Sequence, residues 1–516
     1  MLKTLFIPAN SQQRGRSFQL LSCFILMLLP LLHPEAFAQQ KRVNLVQADV
    51  MSYDKRDQDV RQVHGRVVFE HDSAFLYCDS AAFNERSNHV EAYGNVRIRI
   101  NDTVNLYGKE LFYDGQTRVA DMRRDVRLVD GRTVLETPML SFDRNTRIAR
   151  YQAGGRISDA QNVLTSDQGS YFMPIKRFFF KSNVKLVNPR YTMTSDTLQY
   201  HTVSGVADFM GPTTIVSDEN VITCRQGWYD TQLDLSSFSR GARLSNQNRN
   251  IFSDSLFYNR NLGEGRGFHN TLITDTSRQV LISGHYALYQ ELEGYALVTD
   301  STLARFFDGP DTLYIHADTL EAWFDTTNAL IRMEAYYQVK YFRTDIQGLC
   351  DSLTYLATDS MIIMLGSPVI WSEDKQMFAD TIRIWLEQGR VHEMELHAQA
   401  MIISMDGLTR YNQLKGKHIM GYFVENELVR MKIEGNAETV YYIREDNGRI
   451  IGLNRAVASD MNIRLVDREI KEIVYIREPS AILHPIDQVP AGEDRLSGFQ
   501  WLGHRRPKRP IDVFYW

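Results

Sequence analysis

The stretch Leu76 to Ile100, LYCDSAAFNERSNHVEAYGNVRIRI, decides how the rest of the chain is read. A small residue and an acid, Cys78 and Asp79, are followed by an aromatic, Phe83, then by a polar turn and Val90-Glu91-Ala92-Tyr93-Gly94-Asn95-Val96. Stepping about thirty residues either way brings the unit back as Ala48-Asp49 with Tyr53, Ser166-Asp167 with Tyr171, Ser195-Asp196 with Tyr200, and Ser253-Asp254 with Tyr258. Degenerate copies fill the gaps: Gly108-Lys109 with Tyr113, Thr137-Pro138 with Phe142, and Cys224-Arg225 with Tyr229. The aromatics from Tyr53 to Tyr258 stand 29 or 30 residues apart, which makes this an internal repeat.

Each repeat reads as two strands, because apolar and polar residues alternate and turn residues interrupt them. From Val90 to Ile100 one face carries Val90, Ala92, Gly94, Val96, Ile98 and Ile100, the other Glu91, Tyr93, Asn95, Arg97 and Arg99. Inside the first strand of each repeat the phase slips: Met193 and Ser195 share one parity, Leu198 and Tyr200 the other. A slip of one residue within a strand is what a bulge or a sheet corner produces. The chain is therefore expected to be all-β, an elongated stack of two sheets with about two strands per ~30-residue repeat, bent at the small-acid step.

Beyond residue 300 the motif persists with looser spacing, as Ala317-Asp318 with Trp323, Cys350-Asp351 with Tyr355 and Ala379-Asp380 with Trp385. Four segments follow from this pattern: 1–38, regular repeats over 39–300, looser repeats over 301–478, and a tail over 479–516. The tail holds five of the fourteen prolines and a basic cluster, and Phe499, Trp501, Phe514 and Trp516 suit it to lie along the body. About fourteen units, at ~4.8 Å per strand in each of two sheets, predict a body roughly 65 Å long.

Residues 1–38 carry Lys3, Arg14 and Arg16, an apolar run from Leu20 to Leu32, and Ala36-Phe37-Ala38, the form of a secretory signal cleaved near Ala38. The run falls short of the ~20 apolar residues that span a bilayer. Cys23 stands at the start of that run, where a lipoprotein cysteine would not. Removing this segment takes three basic residues and one acid from 58 and 63, leaving 55 against 62 and a net charge of −7, which argues against nucleic acid. Cys78, Cys224 and Cys350 each occupy the small position before the acid column, several repeats apart, and read as small half-buried side chains rather than a disulfide framework.

The run Ala48-Asp49-Val50-Met51-Ser52-Tyr53 with His64-Gly65-Arg66-Val67, and Cys78-Asp79 through Ala92-Tyr93-Gly94-Asn95-Val96, resembles the OstA-like, LptA-like family of periplasmic lipopolysaccharide-transport proteins. The resemblance implies a twisted β-jellyroll opening like a V, an apolar groove for the acyl chains of lipopolysaccharide or a similar lipid, and a periplasmic place, with outer-membrane association. It also implies edge-to-edge pairing with other β-jellyroll transport proteins or an outer-membrane assembly barrel. The groove candidates are Met51, Tyr53, Val67, Phe83, Val96, Ile98, Ile100, Leu111, Tyr113, Leu140, Phe142, Leu198, Tyr200, Leu256 and Tyr258. The same columns read equally as ordinary core between two sheets. Val43, Leu45 and Tyr53 mark the first strand as the partner edge, and the tail prolines are expected to cap the far edge. Phe178-Phe179-Phe180 puts aromatics on both faces of one strand, as either a binding patch or a doubly buried strand.

Two other classes fit a β-repeat chain: an enzyme acting on polysaccharide, and a structural envelope or adhesin fibre. The acids recur once per repeat, whereas a carboxylate pair for glycoside cleavage is placed specially at one point. Accepting backbone N–H bonds at the corner is the duty their regularity suggests. His392 and His397, five apart in a strand, face opposite sides, so no metal site is expected, and no cofactor motif stands out.

Overall fold

The structure, a computed structural model, describes residues 42–516 apart from 55–56, 101–103, 160, 219, 309–310, 446 and 468. The signal segment and Cys23 lie outside the described residues, as does the turn at Asn101-Asp102. Among the described residues thirty-four strands form one continuous antiparallel sheet, with one short 3-10 turn between strands, Met173–Ile175, and three more in the segment after the last strand. In six places a corner divides one passage of the chain into two short strands, as Ile148–Tyr151 and Gly155–Ser158, so the chain makes about twenty-eight passages, two per repeat.

Every passage is folded at its middle, and its two halves belong to two facing wings. Val67 pairs with Cys78 and His64 with Ser80, which leaves Gly65-Arg66 opposite Asp79 alone. Tyr93 pairs with Glu110 and Val96 with Gly108, which leaves Gly94-Asn95 opposite Lys109. Ser182-Asn183 stand likewise opposite Asp196. Two residues against one is a bulge, and repeated on successive strands it bends the sheet along a line. The expected break at the small-acid step is present, but the distortion itself sits in the returning strand. The two residues of each bulge are left-handed, at φ 72° and 42° for Gly94 and Asn95, and 63° and 52° for Ser182 and Asn183. Gly and Asn adopt that region at low cost, which explains Tyr-Gly-Asn-Val.

The acid column has a partner that sequence parity could not show. Asn95 donates to Asp79 at 2.8 Å, Asn183 to Asp167 at 2.7 Å, Asn270 to Asp254 at 2.8 Å, and Arg66 to Asp49 at 2.7 Å. The carboxylate thus holds the side chain of the second left-handed residue, not the backbone N–H that the sequence suggested. Gly435 to Asp460, at 3.1 Å, is one pair of the backbone kind. A Cβ at Gly94 would stand 2.5 Å from the Asp79 carboxylate, so the clasp also demands glycine there.

Because each passage crosses both wings, both strands of a repeat lengthen both sheets. About twenty-eight passages at ~4.8 Å give a stack of roughly 130 Å, twice the sequence-based length. The small column sits at the corner as expected: Cys78, Cys224 and Cys350 are buried free thiols, and burial pushes Cys78 up to about 12 and Cys224 to about 11.

The tail begins in the far edge itself, as the strand Ser480–Pro485 with Pro485 at its end, and from there it is strapped along the body. Beyond residue 300, strand residues facing away from the interior are also apolar: Leu303, Phe342, Trp371, Met401 and Ile403. The chain after Pro485 turns back over this outer face, with Leu496 on Met401 and Ile403, Leu502 on Trp371, and Val513 on Leu303 and Phe342. Three buried glutamines bind it. Gln413 donates to the Asp494 carbonyl at 2.8 Å and accepts from the Leu496 N–H at 2.8 Å; Gln376 does the same for Gln500 and Leu502, each at 2.7 Å; Gln347 accepts from Arg506. Uncovered apolar surface on that wing draws the tail there. The last strands, Glu469–Ile476 and Ser480–Pro485, pair on one side only, with Ile450–Val466.

Candidate functional site

Parity and the corner together aim one set of side chains from both wings into a shared interior. In the amino-terminal part Val67, Phe83, Val96, Ile98, Leu111, Tyr113, Leu140, Phe142, Leu198, Tyr200 and Leu256 are all buried in one cluster running from Val43 to Leu256. Ile100 packs partly buried against it, and Tyr258 is half-buried. These columns are interior, and in this part the interior is filled. Phe178 and Phe180 point inward, stacked with centroids 5.5 Å apart, while Phe179 lies on the other face beside Phe172.

Met51 and Tyr53 stand apart, 46% and 57% exposed. They belong to the first passage, whose strands Asn44–Gln47 and Val50–Asp54 pair, among the described residues, with Asp57–His71 on one side and with no strand on the other. On the same passage Val43 is buried, its N–H donating to Asn88 at 2.9 Å, and Leu45 packs against the cluster.

The free ends of the two wings meet along a mouth, and polar groups lace it. Arg144 donates to the Tyr113 hydroxyl at 2.8 Å and to the His71 carbonyl at 3.0 Å. Lys176 reaches Asp130 at 2.5 Å, where the Tyr171 hydroxyl also donates at 2.6 Å. Tyr200 donates to Asp159 at 2.9 Å, and Arg190 pairs with Asp234 at 2.9 Å. Burial resists ionisation of Asp234, but bonds from Tyr229 and Arg190 outweigh it and hold the carboxyl below its ordinary range. The aromatic column therefore has a second duty: its tyrosines carry hydroxyls from the interior to the mouth, where a polar tip needs a partner.

The lacing stops there. Among the described residues no hydrogen bond or ion pair crosses the mouth between Arg190–Asp234 and Arg278, whose guanidinium donates to the Asn328 carbonyl at 2.5 Å. Over the same interval the interior is not sealed. Ile222, Leu244, Ile251, Ile273 and Ile282 face inward yet are only half-buried; the first three pack against the end of the first cluster and Ile282 against a second that begins at Ala304. Side-chain volume also falls here. Gly265 and Gly267, paired with Tyr258 and Leu256, hold the inward positions that Ala120 and Met122 fill opposite Tyr113 and Leu111. An apolar interior reached by solvent, with closed interior on both sides, is the site the geometry singles out. Reading columns by parity missed it, because parity gives direction and not filling; the two inward glycines were the available signal.

Residues 40–196 and 190–254 match the family model of OstA-like proteins. Over these residues, fewer than half of the 516, the chain is similar to OstA-like proteins. The first match ends at residue 196 and the second within the passage Arg249–Asn259, so the matched residues take in the closed interior and the beginning of the open stretch. No curated protein matches the chain. A solved structure similar to part of it is LptH of Pseudomonas aeruginosa, the LptA-homologous periplasmic component of a lipopolysaccharide transport device, at 16% identity, over 21% of this chain and 81% of LptH, with a TM-score of 0.20.

Proposed function

We propose that this chain is a periplasmic lipid-transport protein that holds lipopolysaccharide, or a lipid of similar build, by its acyl chains in the interior between the wings. The observation that carries the reading is the stretch from Leu244 to Ile273, where inward isoleucines and leucines are half-exposed and, among the described residues, no hydrogen bond or ion pair laces the mouth between Arg190–Asp234 and Arg278–Asn328. Acyl chains entering there would gain about 25 cal/mol per Å² of apolar surface removed from water. Groove residues nearest this opening are Leu256 and Tyr258; Val67 to Tyr200 line the sealed interior that continues from it. The negative net charge leaves apolar burial, not phosphate attraction, as the driving force.

The first passage, with Leu45 and Tyr53, would pair with a β partner through its free edge, since unpaired N–H and C=O groups on an edge strand invite another strand. The test places photo-crosslinking residues at Ile251, at Ile282 and at Ile98 in cells. Lipid adducts at Ile251 and Ile282, stronger than at Ile98, are expected. An exported, folded protein without lipid adducts at all three would overturn the reading, and adducts at Ile98 alone would move the site into the sealed part.

A further inference from the structure

A second chemistry-bearing cluster lies outside the interior, on the solvent face of the wing opposite the tail. The hairpin of Arg390–Asp406 and Arg410–Val424 pairs His397 directly with His418. Directly opposed residues put their Cβ atoms about 5 Å apart on one face, and these two rings have centroids 4.4 Å apart. Glu395, two residues before His397, shares that face, and its Oε1 lies 3.5 Å from His397 Nδ1. Arg383 on the neighbouring strand holds the other carboxylate oxygen at 2.7 Å. Across from His418 on the next strand is Glu434, paired with Lys432 at 2.5 Å.

The inward neighbours Met394, Leu396 and Ile419 are buried in the second cluster, so packing fixes the backbone under this group. The Nδ1 atoms of both His397 and His418 are shielded from water and make no hydrogen bond. A buried polar atom without a partner is rare, and its lone pair suits a cation. One ligand atom from each of Glu395, His397 and His418 lies within 4.8 Å of the other two. Side-chain torsion suffices to bring such atoms to the roughly 3.3 Å spacing of a tetrahedral site with ~2 Å bonds.

We infer that Glu395, His397 and His418 form a binding site for a divalent transition metal of the zinc class, with water completing the coordination. Two imidazoles and one carboxylate suit zinc, nickel or copper, and not calcium or magnesium, which favour oxygen ligands. The ion would tie two strands at the register just before Ala398-Gln399, the left-handed pair where their own pairing is interrupted. Ligands drawn from two strands explain why no spacing within one strand announces the site. His392, by contrast, lies near Glu387 and Glu393 without a second imidazole.

The test is calorimetric titration of the purified chain with zinc chloride, alongside H397Q, H418Q, E395Q and, as a control, H392Q. One saturable site is expected. Its affinity should fall more than about tenfold in H397Q and H418Q and stay unchanged in H392Q, and binding should weaken on acidification because imidazole ligates only when neutral. For a measurement independent of variant folding, cobalt(II) added to the unaltered chain should give a visible absorption band that one equivalent of zinc displaces. The inference is overturned if no saturable zinc binding occurs, if folded H397Q or H418Q binds as tightly as the unaltered chain, or if cobalt shows only its aqueous spectrum.

Discussion

The regions before Leu256 and after Ala304 use the same corner but are closed in different ways. Before Leu256 the strands are mostly 11 or 12 residues long, their outer faces mix polar residues with aromatics such as Tyr77, Phe112 and Phe179 and carry no third layer among the described residues, and one cluster between the wings holds the layers together. After Ala304 strands reach 17 and 18 residues, and one wing is apolar on both faces, with the tail as a third layer. The same repeat therefore tolerates two ways of hiding apolar surface: lacing its own mouth, or recruiting a segment from elsewhere in the chain. Because a stack is stabilised by nearest-neighbour contacts, damage to one region should leave the other largely intact.

Removing the tail gives the largest effect that contrast predicts. A chain ending at Pro485 uncovers Trp371, Met401, Ile403 and Phe342 and loses Leu496 and Val513, each worth about 1.5–3 kcal/mol when buried. A loss on the order of 5 kcal/mol is expected in the later region only, read by hydrogen exchange across Ile346–Val466, with new binding of an apolar dye. Unchanged exchange there would mean the third layer is decoration. In the earlier region Phe180→Ala, deep between Phe178 and the opposite wing, should cost about 3–5 kcal/mol locally and leave exchange beyond Ala304 untouched. Coupled loss of both regions would replace two regions by one cooperative unit. The smallest effect belongs to the corner clasp: Asp79→Ala or Asn95→Ala should each lower stability by about 0.5–1 kcal/mol, and the double variant should be less than additive, because one solvent-exposed hydrogen bond is shared.

Much of this architecture was legible in the chain itself. The 29-residue return of the aromatic column announced repeats, the period-two alternation announced strands, and the slip at Ser195-Asp196 announced the corner. What was not legible involves partners distant in sequence. A parity slip does not say whether the two halves of a strand stay in one sheet, hence the twofold error in length. The clasp of Asp79 reaches Asn95 through a return strand, and its donor is visible only once the left-handed pair is in place. His418 meets His397 because a hairpin register brings them together. The seat of the tail was hidden in residues such as Gln376 and Gln413, which read as polar positions until the backbone of another segment satisfies them. For the candidate interior, direction was legible and filling was not: Ile98 and Ile251 look alike in sequence, yet one is buried and the other half-open.

The folding of every passage across both wings has a consequence for reach. Each repeat advances the stack by two strand spacings, about 9.6 Å, so the molecule is graduated like a ruler. At roughly 130 Å it is about four times the ~30 Å thickness of a bilayer's hydrocarbon core. Gaining or losing one graduation changes that distance by a fixed increment while the first and last strands stay as they are. Distance and terminal chemistry are thus encoded separately, the first by the number of repeats and the second by Asn44–Asp54 and Glu469–Pro485 alone.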